Sequence, residues 1–320
     1  MAESGRLSEL KSDLIGRTRL PLPPYVVALS GGADSATLAY LAADSGEPVS
    51  CVHVHHGLGP SDLLAQAATR VAEVIGVGLE IIEVEVPEGP SLENQARAVR
   101  YEALSTVVDT DSQVLLGHTS NDQAETVLMN LIRGTGTRGL AGIPYHRMPN
   151  FFRPILDISR SETRELAALA GLPFHDDPAN ADLSIRRNLV RTRLIPQLEA
   201  LNPNVVTALA RAAAQLGADE DLLDAMARSV PISADGSGAS VAVAATLIVP
   251  EPVRWRVVRR LVGEVRSPDG ITASECERIT AVLTGAAAAA ELEPGLRVTR
   301  DGPILRIART GSGPGAATPH

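Results

Sequence analysis

The sequence predicts an α/β protein: a doubly wound parallel sheet, followed by a smaller, mostly helical α+β domain. Short apolar runs alternate with helical segments along the first half of the 320-residue chain. This alternation is typical of a parallel sheet with helices on both faces. The C-terminal part instead combines helical segments with two short strands that flank the turn residues Asp301-Gly302, which indicates a hairpin.

The elements of the large domain follow from local patterns. The strands are predicted at residues 25–29, 49–54, 79–86 and 114–117, and the third alternates with period two, as an edge strand does. The helices are predicted at residues 36–43, 61–75, 91–108, 121–133, 161–171 and from about 184 onward. Glycine and proline punctuate residues 134–160, which predicts an irregular connection.

The remaining elements belong to the small domain. A helical stretch covers residues 200–228, the turn-rich segment 231–238 is predicted as a linker or long loop, and helices follow at 252–263 and 274–283. The predicted organisation is an N-terminal extension (1–20), the large domain (21–198), the smaller substrate-binding domain (199–309) and a disordered tail (310–320).

Composition excludes several classes of protein. Hydrophobic residues make up 44% of the chain, which is enough for a packed core. No apolar run approaches the ~18 residues of a membrane span, and the N-terminus lacks the basic start and apolar stretch of a signal peptide. Cys51 and Cys276 have no nearby partner, which excludes a cysteine-rich zinc site and fits a reducing cytoplasm.

The net charge of −9 argues at first against a nucleic-acid partner, but the charge is unevenly distributed. Residues 1–130 carry 7 basic and 18 acidic side chains, whereas residues 131–195 carry 10 arginines and 6 acids. A basic face of this kind can hold RNA phosphates if its arginines cluster in space. The alternative is a set of solvated helices whose arginines form ordinary ion pairs, which explains the same excess of arginines.

The segment Ser30-Gly31-Gly32-Ala33-Asp34-Ser35 joins the first strand to the first helix of the sheet. Glycines let a backbone approach a phosphate, and the first N–H groups and the dipole of a helix attract it. Ser30 and Ser35 add hydroxyl donors. Asp34 would repel phosphate unless a cation lay between them, and Mg²⁺ is the simplest such cation.

An ordinary strand-to-helix turn capped by Asp34 or Ser35 is the alternative interpretation. A Walker-type phosphate loop is excluded, because it needs a lysine and the one lysine of this chain is Lys11. Two further segments are predicted at the carboxyl ends of neighbouring strands, namely His53–Gly57 and His118. Ligands bind at such ends in parallel sheets, so all three segments are expected to meet at one site.

Asp122 and Glu125 lie three residues apart near the start of a predicted helix, so their carboxylates share one face. Beside a nucleotide, such a pair can bind a metal, hold an ammonium group or take its proton. Simple complementarity to the helix dipole is the alternative.

Arginines accompany the later motifs: Arg97 and Arg100 with Tyr101 on one helix, Arg133 and Arg138 around a glycine loop, and Arg187 and Arg191 on another helix.

Together these segments resemble the tRNA(Ile)-lysidine synthetase family of N-type ATP pyrophosphatases. The resemblance covers about residues 24–210 and rests on the order and spacing of five motifs. They are the SGGxDS loop, the HVxHG-type strand end, the NxARxxRY helix, the GHxxDDQAET-like segment with its following RGxG, and a late DxxN…RNxxRxxxIP stretch. The family adenylates the C2 oxygen of the wobble cytidine of a tRNA, and the ε-amine of free lysine then attacks C2.

The resemblance implies ATP and Mg²⁺ as cofactors, with tRNA(Ile) bearing a CAU anticodon and free L-lysine as substrates. It implies catalytic roles for Asp34, Asp122, Glu125 and Arg97, with Asp34 as the metal ligand. Contacts to ATP are implied for Ser30, Gly31, Gly32, Ala33, Asp34, Ser35, His53 and His118. Contacts to tRNA are implied for Arg100, Arg133, Arg138, Arg187 and Arg191. The oligomeric state stays open, and a homodimer is one possibility.

The chain departs from the family pattern in two motifs. Asn121 stands where the family usually has a first aspartate. At the end of the second strand, His55 stands where Asp or Asn is common, and Gly59 stands where a basic residue often follows. A tRNA thiolase of the same superfamily is the nearest rival, but such enzymes usually need paired cysteines or a metal cluster. Small-molecule ligases such as an NAD or GMP synthetase would lack the arginine-rich block. A nucleotide sensor without turnover would not need the carboxylate pair.

Overall fold

The computed structural model describes residues 2–57, 61–87, 92–107, 111–176, 182–266, 271–293 and 295–310. The chain forms two compact units, Met1–Gly217 and Ala218–His320. The predicted tail lies outside the described residues beyond Thr310, as do Asp177 and Asn180 of the last motif. Among the described helices, none is long and apolar enough to cross a membrane.

Within the described residues of the first unit, six strands form one sheet in the order β3-β2-β1-β4-β6-β5. They are β1 (Tyr25–Ala28), β2 (Val49–His55), β3 (Gly78–Glu83), β4 (Gln113–Leu116), β5 (His146–Arg147) and β6 (Phe151–Phe152). The first five in that order run parallel, and β5 is antiparallel to β6. The doubly wound, mostly parallel sheet that the sequence predicts is therefore confirmed.

Helices connect and follow these strands. They are α1 (Ala2–Arg17), α2 (Ala33–Asp44), α3 (Ser61–Ile75), α4 (Leu92–Val107), α5 (Ser120–Arg133), α6 (Thr137–Leu140), α7 (Arg160–Leu169), α8 (Arg186–Leu189), α9 (Ile195–Leu201) and α10 (Val205–Arg228). A π-helical turn, Val190–Leu194, joins α8 to α9. The core against β1 is aliphatic, and α1 contributes the buried Leu14 to it.

Two predictions for this unit need correction. Residues 134–160 are not only a connection, because they contain α6 and the two-residue strands β5 and β6. Strands this short leave no readable period, and β6 is held by its pairing with β4, where Phe151 lies opposite Val114. The third strand ends at Glu83 rather than Val86, and it lies at the sheet edge as predicted.

The second unit contains an antiparallel sheet in the order β7-β8-β11-β10-β9. Its strands are β7 (Ile232–Asp235), β8 (Gly238–Ala242), β9 (Ala289–Leu292), β10 (Leu296–Asp301) and β11 (Ile304–Arg309). Its further helices are α11 (Val243–Leu247), α12 (Glu251–Gly263) and α13 (Ala273–Thr284). Their apolar faces pack in one core with β8, β10 and β11.

The linker predicted at residues 231–238 is wrong. This segment forms β7 and the turn into β8, with Asp235 opposite Gly238. The backbone N–H of Ser237 donates to Asp235 Oδ1 over 2.8 Å, which closes the turn. The polar composition that suggested a loop belongs to a tight hairpin turn and to the mostly exposed strand β7. The hairpin predicted at Asp301-Gly302 is confirmed as β10 and β11.

Candidate active site

A cavity of about 550 Å³ opens at the carboxyl ends of β1, β2 and β4. Its lining includes Ser30 and Asp34 after β1, His53 near the end of β2, and His118 after β4. The three segments that the sequence predicts at adjacent strand ends therefore meet at one site. Connections from parallel strands converge there, which is why the sheet places the cavity at this edge.

The loop between β1 and α2 has the geometry of an anion cradle. Gly31 has a φ of +85°, and a Cβ at this position would collide with the backbone of Leu64, so only glycine fits. Ser35 organises the loop, because its Oγ accepts from the N–H of Ser30 at 3.1 Å and donates to the carbonyl of Gly32 at 3.0 Å. Gly32 is the N-cap of α2, so that the positive end of the helix faces the cavity.

The end of β4 approaches this loop closely. A Cβ on Gly117 would lie 3.0 Å from the backbone nitrogen of Ser35, so that a side chain would push the two segments apart. Two histidines line the cavity beside this contact. Burial lowers the pKa of His118 to about 3 and also lowers the pKa of His53, so both rings are neutral near pH 7.

Each neutral ring keeps one buried nitrogen that has no hydrogen-bond partner in the described part of the chain. In His53 this nitrogen is Nε2, because Nδ1 donates to the carbonyl of Leu29 at 2.8 Å. In His118 it is Nδ1. Buried polar atoms normally have partners, and both rings line the cavity, so these two nitrogens are candidates for hydrogen bonds to a bound ligand.

Asp34 lies in the first turn of α2 and faces the cavity. Its Oδ1 accepts a short hydrogen bond from the hydroxyl of Thr163, and its Oδ2 lies 3.6 Å from Nε of Arg160. Burial raises the pKa of Asp34, although Thr163 and Arg160 partly oppose this rise. The carboxylate is therefore held in place from α7.

Asp122 and Glu125 do share one face of α5, and three arginines converge on them. Glu125 is completely buried. Its Oε2 accepts from Nε of Arg187 at 2.7 Å, and its Oε1 accepts from Nε of Arg191 at 2.7 Å. Nη1 of Arg160 donates to the same Oε1 at 3.2 Å. The carboxylate of Glu125 is thus enclosed by guanidiniums and does not line the cavity.

Asp122 differs from Glu125 in that it does line the cavity. Its Oδ2 accepts from the N–H and the hydroxyl of Thr119, the N-cap of α5, and its Oδ1 accepts from Arg160 and Arg187 at 3.1 and 3.0 Å. Burial alone would raise the pKa of Asp122, but the two guanidiniums outweigh burial and hold it at about 2. A carboxylate with so low a pKa stays charged and is a weak base.

Arg160 links Asp34 to the carboxylate pair of Asp122 and Glu125. It belongs to none of the sequence motifs. Ser159 and Glu162 form a capping box that fixes the start of α7 at this residue. The first turn of a helix disfavours a cation, so an arginine directly after a capping serine is the signal that could have found it. Asn121 holds the same helix start, since its Oδ1 accepts from the N–H of Arg160 at 2.9 Å.

The other predicted site residues lie in different surroundings. Arg100 lines the cavity, whereas Arg97, Arg133 and Arg138 are exposed and do not. The segment after α7 also borders the site: Arg164, His175 and Asp176 line the cavity, and the N–H of His175 donates to the carbonyl of Gly31 at 2.9 Å. The prediction placed none of these three there. His55 contacts Asp62 through Nε2 at 3.0 Å.

The donor set suits Mg²⁺ only together with a substrate. The described residues contain no cluster of three or more side chains that could hold a metal by themselves. Mg²⁺ commonly binds one or two carboxylates together with substrate phosphates and water. Asp34, beside the phosphate cradle, fits that arrangement.

Comparisons with known proteins agree with this geometry. A PP-loop domain family matches residues 10–198. The tRNA(Ile)-lysidine synthase of Mycolicibacterium paratuberculosis is 44% identical over 240 residues, which cover 73% of this chain and 73% of the relative. The tRNA(Ile)-lysidine synthase of Salinispora tropica is 39% identical over 304 residues, which cover 88% of this chain and 90% of the relative.

Among solved structures, the U34-tRNA thiolase NcsA from Methanococcus maripaludis, determined with its 4Fe-4S cluster, has a TM-score of 0.53 at 19% identity. The match covers 67% of this chain and 79% of the thiolase, and it shows a shared fold. The family match and the identity to curated relatives over most of their length agree with the motif order and the cavity. The chain therefore belongs to the tRNA(Ile)-lysidine synthase family.

Proposed function

We propose that this chain is an ATP-dependent ligase that attaches free L-lysine to C2 of the wobble cytidine of tRNA(Ile). The C2 oxygen attacks the α-phosphate of ATP and pyrophosphate leaves. The ε-amine of lysine then attacks C2, and AMP departs with that oxygen. The observation that carries the proposal is the convergence of the phosphate cradle, Asp34 and the Asp122–arginine cluster on one cavity.

The loop residues would bind the pyrophosphate end of ATP through backbone N–H groups at the start of α2. Bound at Asp34, Mg²⁺ would neutralise phosphate charge. Arg100 lines the cavity and is better placed than Arg97 to face a phosphate or the adenylated base. The unpartnered Nε2 of His53 is a candidate acceptor for a hydroxyl or amino group of the nucleotide, because Nδ1 of the same ring donates to Leu29. The unpartnered Nδ1 of His118 is a second candidate contact.

Asp122 is the member of the carboxylate pair that can meet the ammonium of lysine, because it faces the cavity. Its low pKa suits the recognition of a positive charge rather than the removal of a proton. Glu125 supports this role indirectly, because it fixes the arginines that surround Asp122.

The rival function, sulfur transfer to tRNA, is disfavoured by the cysteines. The sequence contains only Cys51 and Cys276, too few to hold an iron–sulfur cluster through cysteines of this chain alone. Both are buried, and burial raises the pKa of the Cys51 thiol to about 12, so it is a poor nucleophile near neutral pH.

We place the ligase in the cytoplasm. Sedimentation with and without tRNA would distinguish a monomer from a homodimer.

The test is ATP-dependent incorporation of labelled lysine into total bacterial tRNA, with pyrophosphate release measured in parallel. We expect incorporation that requires ATP and is confined to tRNA(Ile) with a CAU anticodon. Pyrophosphate release that depends on tRNA but not on lysine, with no lysine in the product, would refute lysine as the nucleophile.

A further inference from the structure

A cluster of three arginines surrounds Tyr101 on α4, outside the lining of the ATP cavity. The guanidinium carbons of Arg97 and Arg147 lie 5.2 and 4.7 Å from the centre of its ring. Arg153 is almost completely buried, and its Nη2 donates to the phenol oxygen of Tyr101 at 3.1 Å. Arg97 and Arg147 are exposed, and they come from different elements, α4 and the edge strand β5.

The distribution of charge makes this cluster unlike the other cation–aromatic contacts. Lys11 over Tyr40, Arg19 over Tyr145 and Arg164 over Phe174 each pair with a carboxylate, Asp44, Asp157 and Asp176 respectively, at 2.6 to 2.7 Å. Across the described ranges, no carboxylate oxygen lies within 4.0 Å of a charged nitrogen of Arg97, Arg147 or Arg153. The phenol of Tyr101 is the shared acceptor of Arg97 and Arg153.

Three cations around one neutral ring repel one another, and an anion placed between the exposed guanidiniums would relieve that repulsion. The planar guanidinium fork matches a phosphate, with two parallel hydrogen bonds to its oxygens. ATP and lysine are assigned to the cavity, which Arg97 and Arg147 do not line. Of the substrates in the proposed reaction, the tRNA backbone alone carries phosphates beyond that cavity.

We propose that Arg97 and Arg147 form a phosphate-binding site for the tRNA backbone, with Tyr101 and Arg153 as the platform that orients them. The site rests on the proposed function, since it takes tRNA as the polyanion. It positions the tRNA on the α4–β5 side of the sheet and does not discriminate sequence, because phosphate contacts carry no base information.

The experiment compares Arg147→Ala with a control variant, Arg19→Ala. Arg19 is also an exposed arginine over a tyrosine ring, but it already pairs with a carboxylate. The affinity for a tRNA(Ile) transcript is measured at several KCl concentrations. We expect Arg147→Ala to reduce the log–log salt slope by about 0.7–0.9, the value of one lost phosphate contact. Arg147→Lys should restore the slope, since it keeps the charge, but only part of the affinity, since it loses the fork. Arg19→Ala should match the wild type.

An unchanged slope in Arg147→Ala would overturn the proposal, and so would a raised KM for ATP, which would assign the cluster to the nucleotide. A purely structural role would lower the unfolding midpoint of Arg147→Ala without changing the slope. If Arg147→Ala does not fold, Arg147→Gln provides the neutral variant for the same measurement. Lysine incorporation by the wild type separates the two hypotheses: its absence refutes the ligase, whereas an active wild type with an unaffected Arg147→Ala refutes only this site.

Discussion

Nε of Arg191 donates to Oε1 of Glu125 over 2.7 Å, and the carboxylate that accepts this bond is completely buried. Arg187 and Arg160 bond to the same carboxylate. A buried charge is tolerated when it is paired and hydrogen-bonded, and removing one partner leaves the others uncompensated. Glu125 therefore acts on the site through the arginines that it fixes.

Glu125→Gln should destabilise the protein by about 3–5 kcal/mol, the usual cost of breaking a buried ion pair. Denaturant unfolding measures this change. The matched control is Glu165→Gln, because Glu165 forms an exposed ion pair with Arg6 at 2.9 Å; its unfolding midpoint should not change measurably. If Glu125→Gln is as stable as the wild type but has a raised KM for lysine, Glu125 contacts the substrate directly.

Asp34→Ala should abolish pyrophosphate release and leave the fold intact, because it removes a charged group that faces the cavity rather than core volume. The control is Asp44→Ala at the other end of the same helix, where the carboxylate pairs with Lys11 at 2.7 Å. That variant should keep its turnover. Pyrophosphate release near the wild-type rate in Asp34→Ala would contradict both the metal-bridging and the catalytic role.

Arg187→Ala and Arg191→Ala distinguish two roles for these arginines. Contact with the tRNA backbone predicts a loss of about 0.7–0.9 from the salt slope of tRNA binding for each residue. Anchoring by Glu125 predicts an unchanged slope, a lower unfolding midpoint and slower lysine transfer. We expect the second outcome, because both guanidiniums are already paired with carboxylates. The exposed Arg133 and Arg138 are the comparison, and their double alanine variant should reduce the slope.

The free energy of unfolding should fall as the pH drops from about 6.5 towards 3. The folded-state pKa of His118 is about 3, whereas an unfolded histidine titrates near 6.5. The unfolded chain therefore binds more protons in this range, and stability rises with pH across it. Asp122, with a pKa of about 2, adds the same trend below pH 4. His118→Asn should flatten the upper part of the curve. Equal slopes in wild type and His118→Asn would contradict a neutral His118.

The sequence was sufficient to predict those features that depend on residues close together in the chain. The strand, glycine turn and helix start at residues 25–44 were readable because burial, turn chemistry and helix spacing all act over a few positions. The spacing of Asp122 and Glu125 placed both carboxylates on one helix face for the same reason. The strands β6 and β7 were not readable, because two to four residues show no period of their own. Distant pairing with β4 holds β6 in place, and β7 is a short, mostly exposed strand of a tight hairpin.

Local patterns in the sequence were enough to predict the sheet class, the phosphate cradle and part of the cavity lining, such as Asp34, His118 and Asp122. The pairing of charges around the cavity follows from the folded chain alone. Glu125 and Arg187 are 62 residues apart, and Asp34 and Thr163 are 129 apart. No periodicity links such positions, so an arginine that anchors a buried carboxylate and one left to meet a phosphate look alike in the sequence. The fold separates them by bringing Arg160 of α7, Arg187 of α8 and Arg191 of the π-helical turn to Glu125 of α5. Ion pairing depends on distances of a few ångströms that only the folded chain sets.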